Sequence, residues 1–241
     1  MQNDNLNIAI IGASGAIGKE FVNQYAQNSS NIIHAFSRSE VTFTSSNVKT
    51  HFIDIENETS IKDSVEIATK DKELDIVIVA TGMLHNNEIM PEKSLKELSS
   101  EKFHKLFSIN TIAPAIIAKY YLPKLNKDNK SLFAALSARV SSVSDNRLGG
   151  WYAYRSAKAG LNMVLKNAAI EIARTNKNAI IAGLHPGTVD SNLSKPFQSF
   201  VKPEKLFTAE FSVRQLISVL DGLNSGDSGN LYDFNGLKID F

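Results

Sequence analysis

Tyr154 and Lys158 stand four residues apart in WYAYRSAKAGLN. The stretch has helical spacing, which puts both side chains on one helix face. A phenol beside an ammonium is a proton-transfer pair. The cation stabilises phenolate and draws the tyrosine pKa down from near ~10 toward working pH. A tyrosine so poised gives a proton to a carbonyl oxygen or takes one from an alcohol. Tyr-x-x-x-Lys is frequent by chance, so the pair carries weight only if the rest of the chain builds a site around it.

The elements that must do so alternate in type. Strands are expected over Leu6–Ile11, Asn31–Phe36, Lys49–Ile53, Asp75–Ala80, Ser131–Ser137, Ala179–Leu184 and Asn230–Phe234. Between them lie helical stretches to about Gln27, over Glu58–Lys70, twice within Leu95–Leu125, over Tyr152–Thr175 and over Thr208–Leu223. Runs such as DIVIVA are apolar in succession, as parallel strands covered on both faces require. This alternation predicts an α/β, doubly wound parallel sheet of three α/β/α layers, Rossmann-like, in a single domain over residues 1–241. Thr188–Leu206 is the least regular stretch, and a loop of that length in a compact domain is usually a functional flap or partly disordered.

Composition narrows the function classes. The 241 residues are 43% hydrophobic, enough for one sizeable core, and 26 basic against 25 acidic residues leave a net charge of +1. That balance argues against a nucleic-acid or membrane-surface partner. No cysteine is present, which excludes disulfides, thiol catalysis and cysteine-held metal, and five scattered histidines form no metal motif. The start MQNDNLNIAIIG lacks a basic segment followed by a long apolar one, so it does not read as a signal peptide, and no apolar run approaches a membrane span. A soluble cytoplasmic protein is the expectation.

GASGAIG follows the first strand and opens a helix. Gly12, Gly15 and Gly18 suit a tight turn, close approach of backbone to a pyrophosphate, and close helix–strand packing, with Ser14, Ala16 and Ile17 beside them. The helix N-terminus then offers free N–H groups to phosphates. A bare tight turn is the plain alternative. No Gly-Lys-Ser/Thr ends the loop, which rules out a Walker phosphate loop. An NAD-binding fold of this kind carries a carboxylate about 20 residues past the loop. Here that place holds Arg38, with Ser37 beside it. A guanidinium grips a phosphate in a fork where a carboxylate would repel it, so NADP(H) is favoured over NAD(H); a solvated surface arginine at a strand end is the plain alternative. Asp54 either accepts a hydrogen bond from an adenine amine or leads the next helix as a cap. Thr81 and Gly82 follow the fourth strand, where backbone must pass close to the cofactor.

GASGAIG, Asp54–Ile55, the ATG of Ala80–Gly82, Asn110, Tyr154–Lys158 and the PGTV of Pro186–Val189 together resemble the short-chain dehydrogenase/reductase family over nearly the whole chain. SDNRLGGWYAYRSAKAGLN and LHPGTVDS look like its C-factor and carbonyl-reductase-like branch. The resemblance implies an NADP(H)-dependent oxidoreductase acting on a small-molecule carbonyl or alcohol. It implies Tyr154 as acid/base, Lys158 as its tuner and ribose contact, and Asn110 as the anchor of a water relay. It also implies that Pro186, Gly187, Thr188 and Val189 lie against the nicotinamide amide. A homo-dimer or tetramer through helices around 101–125 and 152–175 is expected on the same ground. Asn110 has a local argument too: in a helix its carbonyl would accept from residue 114, which is proline and has no N–H. A non-catalytic dinucleotide-binding signalling protein of the C-factor type is the rival.

Two departures stand out. The middle glycine, Gly15, sits one place earlier than in the family's longer-known motif. The family's catalytic serine is commonly the second of a Ser-Ser pair closing the fifth strand, and that second position here is Ala138. Ser137 ends the strand and is the first choice, while Ser141, thirteen residues before Tyr154, and Ser142 remain open. His185, before Pro186 at a strand end, reads as a packed residue rather than a second acid/base. Trp151 and Tyr152 either wall a pocket or staple the helix start. Phe197, Phe200 and Phe207 either form an apolar lid or pack beneath a loop.

Overall fold

Asn7–Ile11 (β1) is buried at every residue, because it is hydrogen-bonded in parallel on both sides and covered on both faces. The computed structural model describes residues 5–241; residues 1–4, the polar start of the segment read as no signal peptide, lie outside the described residues. After β1 come Ala16–Ala26 (α1), Ile32–Ser37 (β2), Val48–Phe52 (β3), Glu58–Ala68 (α2), Ile76–Val79 (β4), Ser100–Phe107 (α3), Ala113–Tyr121 (α4) and Ser131–Leu136 (β5). Tyr152–Ile172 (α5), Ala179–His185 (β6), Thr188–Val189 (β7), Leu206–Phe207 (β8), Ala209–Gly222 (α6), Asn230–Asp233 (β9) and Lys238–Ile239 (β10) complete the order.

The main sheet has the order β10-β9-β6-β5-β4-β1-β2-β3. It is parallel except for the terminal pair β9–β10. The chain runs outward from β1 to β3, then returns to β4 on the other side of β1. A crevice at the carboxyl ends of β1 and β4 is the natural ligand site of such a sheet. One apolar core lies on the face covered by α1 and α6, the other on the face covered by α2, α4 and α5. The doubly wound α/β expectation is met.

Three local details depart from the expectations. The two helical stretches of Leu95–Leu125 are joined without a break, because α3 passes into α4 through a π-helical turn at Ser108–Ile112. In that turn the Ala113 N–H reaches back five residues to the Ser108 carbonyl. Pro114 cannot donate, and the widened turn is one way a helix absorbs such a fault. The irregular stretch after residue 187 is pinned at both ends, since β7 pairs in parallel with β8. Between those strands, Lys195–Phe200 and Pro203–Lys205 form short 3-10 turns.

Candidate active site

A cavity of about 1190 Å³ opens at the carboxyl ends of the central strands. The glycine turn forms one end. Gly12 takes a φ of 94°, and the N–H groups of Gly12 and Ala13 both donate to the Phe36 carbonyl, at 2.9 and 3.0 Å. Gly18 packs on Gly12: a Cβ at Gly18 would lie 2.8 Å from the Gly12 carbonyl carbon and nearer its oxygen. Gly12 and Gly18 therefore build the turn, while Ser14, Gly15, Ala16 and Ile17 face the cavity. Gly15 caps α1 without a side chain, so the first-turn N–H groups stay available to an anion.

Ala80, Thr81 and Gly82 line the adjacent wall. The Thr81 hydroxyl is buried and has no partner in the protein. A free helix start, close glycine backbone and an unpartnered buried hydroxyl along one groove fit a dinucleotide. Pro186, Gly187, Thr188 and Val189 line the opposite side. The cavity does not extend to Gly12, Gly18, Ser37, Arg38, Asp54 or Ile55. Ser37 is buried, and its hydroxyl donates to the Ser39 carbonyl rather than pointing outward. Arg38 is exposed at the end of β2. Asp54 accepts from the Glu56 N–H, and it is Asn57, not Asp54, that caps α2.

Tyr154 and Lys158 sit on one face of α5, both buried and both on the cavity wall. The expected lowering of the phenol pKa is not what the structure gives: burial pushes Tyr154 up to about 12. Burial also pushes Lys158 down to about 7. Desolvation opposes both charged forms. The Lys158 ammonium donates to the Leu136 carbonyl at 2.7 Å.

Asn110 does not reach the cavity wall; it clamps the backbone behind it. Its Nδ2 donates to the Met83 and Leu106 carbonyls at 2.8 and 3.0 Å, and its Oδ1 accepts from the Met83 N–H at 3.0 Å. Gly82 leaves room for this, because a methyl there would come within 3.3 Å of Asn110 Oδ1 and 3.4 Å of Lys158 Nζ.

Of the three candidate serines, only Ser137 lines the cavity, with Ala138 next to it. The Ser137 hydroxyl donates to Asn162 Oδ1 at 2.7 Å, and Asn162 Nδ2 donates to Ser141 Oγ at 2.7 Å. Ser141 in turn donates to the Ala138 carbonyl. Ser142 shares a hydrogen bond with Ser144.

Trp151 walls the cavity, 4.9 Å from the Phe197 ring and 6.3 Å from that of Tyr154. Tyr152 instead begins α5. Phe197 and Phe200 also line the cavity, whereas Phe207 packs with Phe211 and Phe234 beneath it. His185 is not simply packed: it lines the cavity with Nδ1 buried and unpartnered, and burial holds its pKa down to about 4. Sequence reasoning missed Glu92, a buried acid whose carbonyl accepts from the Trp151 N–H and whose carboxylate accepts from the Ala153 N–H at 3.3 Å. It supplies the cap that the left-handed Trp151 cannot give to α5. Asn162 was missed as well, although it stands eight residues past Tyr154 on the same face. No group of three or more His, Cys, Asp or Glu among the described residues could hold a metal ion.

Residues 6–202 match the model of the short chain dehydrogenase family. The C-signal of Myxococcus xanthus is 30% identical over 135 residues, 56% of this chain and 76% of that protein. A benzil reductase of the (S)-benzoin-forming kind from Bacillus cereus is 25% identical over 211 residues, 82% of this chain and 81% of that one. The NADPH-bound carbonyl reductase from chicken fatty liver superposes with a TM-score of 0.83 at 21% identity, over 98% of this chain and 100% of the other. The glycine turn, the Tyr154–Lys158 face and the strand order thus belong with a match over most of the sequence, and this chain is a member of the short chain dehydrogenase family.

Proposed function

We propose that this protein is an NADP(H)-dependent reductase of carbonyl compounds, able to run in reverse on alcohols, with Tyr154 as the acid/base. The observation that carries this is the placement of Tyr154 and Lys158 on the wall of the cavity that begins at the uncapped start of α1. The dinucleotide, when bound, supplies the hydride for the carbonyl carbon or accepts it from the carbinol. Ser14–Ile17 and Thr81 would hold its phosphates, and Thr188 and Val189 its amide. Arg38 at the end of β2, with Asp54 and Ile55 after β3, would receive the adenosine end. The guanidinium supports a phosphorylated ribose, as does the NADPH in the chicken carbonyl reductase.

Tyr154, with its pKa up at about 12, keeps its proton at neutral pH and can give it to a substrate oxygen. That state suits reduction. Lys158, one helical turn past Tyr154 and held on the Leu136 carbonyl, is the group that would replace the proton, and Asn110 keeps the Gly82–Met83 backbone in place behind it. Ser137, the candidate serine that lines the cavity, is the one assigned to the substrate oxygen. Leu84, Met90, Val140, Trp151 and Phe197 give the substrate end an apolar, partly aromatic wall. This supports an uncharged carbonyl compound of small to medium size. Exposed Ile112 in the turn that leads into α4, with Met163 and Ile170 on α5, supports self-association along this side of the molecule.

Ala138 at the family's serine position, together with the C-signal likeness, supports a second reading in which the fold binds dinucleotide without turnover. NADPH oxidation with a carbonyl panel including benzil, measured for the wild type and Tyr154→Phe, separates the two. Turnover lost in Tyr154→Phe is expected. NADPH binding with no turnover of any panel member would establish the second reading.

A further inference from the structure

Tyr154, Lys158 and Asn162 stand four residues apart in sequence, stacked along the face of α5 that looks onto the end of β5. Tyr154 faces the cavity, Lys158 holds the Leu136 carbonyl and Asn162 holds Ser137, one residue further on. Ser137, Asn162 and Ser141 are all buried, so each hydrogen in this group must be placed within the protein.

As found, the chain of donors runs away from the cavity. Ser137 gives its single hydroxyl hydrogen to Asn162 Oδ1, Asn162 gives one to Ser141, and Ser141 gives its own to the Ala138 carbonyl. In this sense Ser137 has only lone pairs left to offer and cannot polarise a carbonyl oxygen. A half-turn of the Asn162 amide, which exchanges Oδ1 and Nδ2 and needs no backbone shift, reverses the chain. Nδ2 then donates to Ser137, Ser141 donates to Oδ1, and the Ser137 hydrogen is released toward a substrate oxygen. The Ala138 carbonyl loses one donor but keeps the Ser141 N–H, at 3.0 Å. Both senses contain three side-chain hydrogen bonds once a substrate oxygen is present, so the substrate itself selects the reversed one.

We propose that Asn162 is a positioning residue that sets the direction of the Ser137 hydroxyl, turning it from an acceptor in the empty site into the donor that holds the substrate oxygen opposite Tyr154. Ala138 makes this arrangement necessary, because the adjacent residue on the cavity wall carries no hydroxyl. The proposal rests on the reductase reading.

The test is a double-mutant cycle in the intact enzyme with NADPH and benzil, using Asn162→Asp, Ser137→Ala and their combination. A carboxylate at 162 only accepts, so it fixes Ser137 in the non-donating sense. Each single variant should lose kcat by on the order of 100-fold, the cost of removing one donor to a developing oxyanion. The affinity for NADPH should be unchanged. The double variant should be no worse than Ser137→Ala, since Asn162 acts only through that hydroxyl. Should Asn162→Asp fail to fold, Asn162→Ala takes its place, and it too should have no effect on top of Ser137→Ala. Additive losses, or a wild-type kcat in Asn162→Asp, would overturn the proposal while leaving the reductase standing. Wild-type turnover that survives Tyr154→Phe, or no turnover of any carbonyl, would overturn the reductase reading and this proposal with it.

Discussion

A methyl group added at Gly15 and one added at Gly18 should damage the protein in different ways. At Gly18 the new Cβ would lie 2.8 Å from the Gly12 carbonyl carbon and 3.3 Å from the Ala13 Cα. The obstacle is backbone, and Gly12 is fixed by its bond to Phe36. Overpacking of this kind costs ~3 kcal/mol, against ~1 kcal/mol gained by replacing glycine inside a helix. The net loss of ~2 kcal/mol corresponds to a fall in Tm of ~4–8 °C for a chain of this size. At Gly15 the nearest atom would be the Gly12 oxygen at 3.5 Å, an ordinary contact, and φ is −77°. The fold should lose only ~0.5–1 kcal/mol, because alanine caps a helix less well than glycine. That methyl would, however, stand in the cavity where phosphates must approach the backbone. Thermal melts without nucleotide and fluorescence titration with NADPH measure the two effects. Gly18→Ala should melt early, and Gly15→Ala should melt within ~2–4 °C of wild type but bind NADPH at least ~10-fold more weakly, a loss of ~1.4 kcal/mol. Normal NADPH affinity in Gly15→Ala, or an undiminished Tm in Gly18→Ala, would refute the division of the turn into a packing glycine and a ligand-facing one.

Arg38→Asp should reverse the preference between NADPH and NADH in kcat/KM, and an unchanged ratio would remove Arg38 from the cofactor site. His34 lies against His51 with ring nitrogens 3.1 Å apart, and burial, with His51 and Lys49 next, holds its pKa down to about 4. A folded pKa below the unfolded ~6.5 means that its contribution to stability is present above pH ~6.5 and is lost as pH falls toward 4. Tm should therefore drop across that window, and less steeply in His34→Gln; parallel curves for the two proteins would contradict this.

Much of this architecture could be read from residue types. Buried runs such as IAII and IVIV announce parallel strands, and the spacing of Tyr154 and Lys158 puts them on one helix face. Two-residue strands such as β7 and β8 have no periodicity to detect, so the pinning of the flap was invisible. Glu92 in PEKS resembles any solvated acid until the fold brings the start of α5 to it. The direction of the Tyr154 pKa depends on burial, which spacing does not report. Asn162 was within reach, since a polar residue two turns along the active face has few reasons to be buried there.

The widened turn at Ser108–Ile112 allows one helix to serve two addresses. A surplus residue shifts the angular phase of α3 by about 100° relative to α4. With that offset, Asn110 meets the Met83 backbone while Ile117 and Tyr121 stay seated against the sheet. Smoothing the helix to a uniform pitch would rotate one half out of its socket. The local irregularity is therefore a phase correction, and regular geometry and the Asn110 clamp on Met83 exclude each other in this segment.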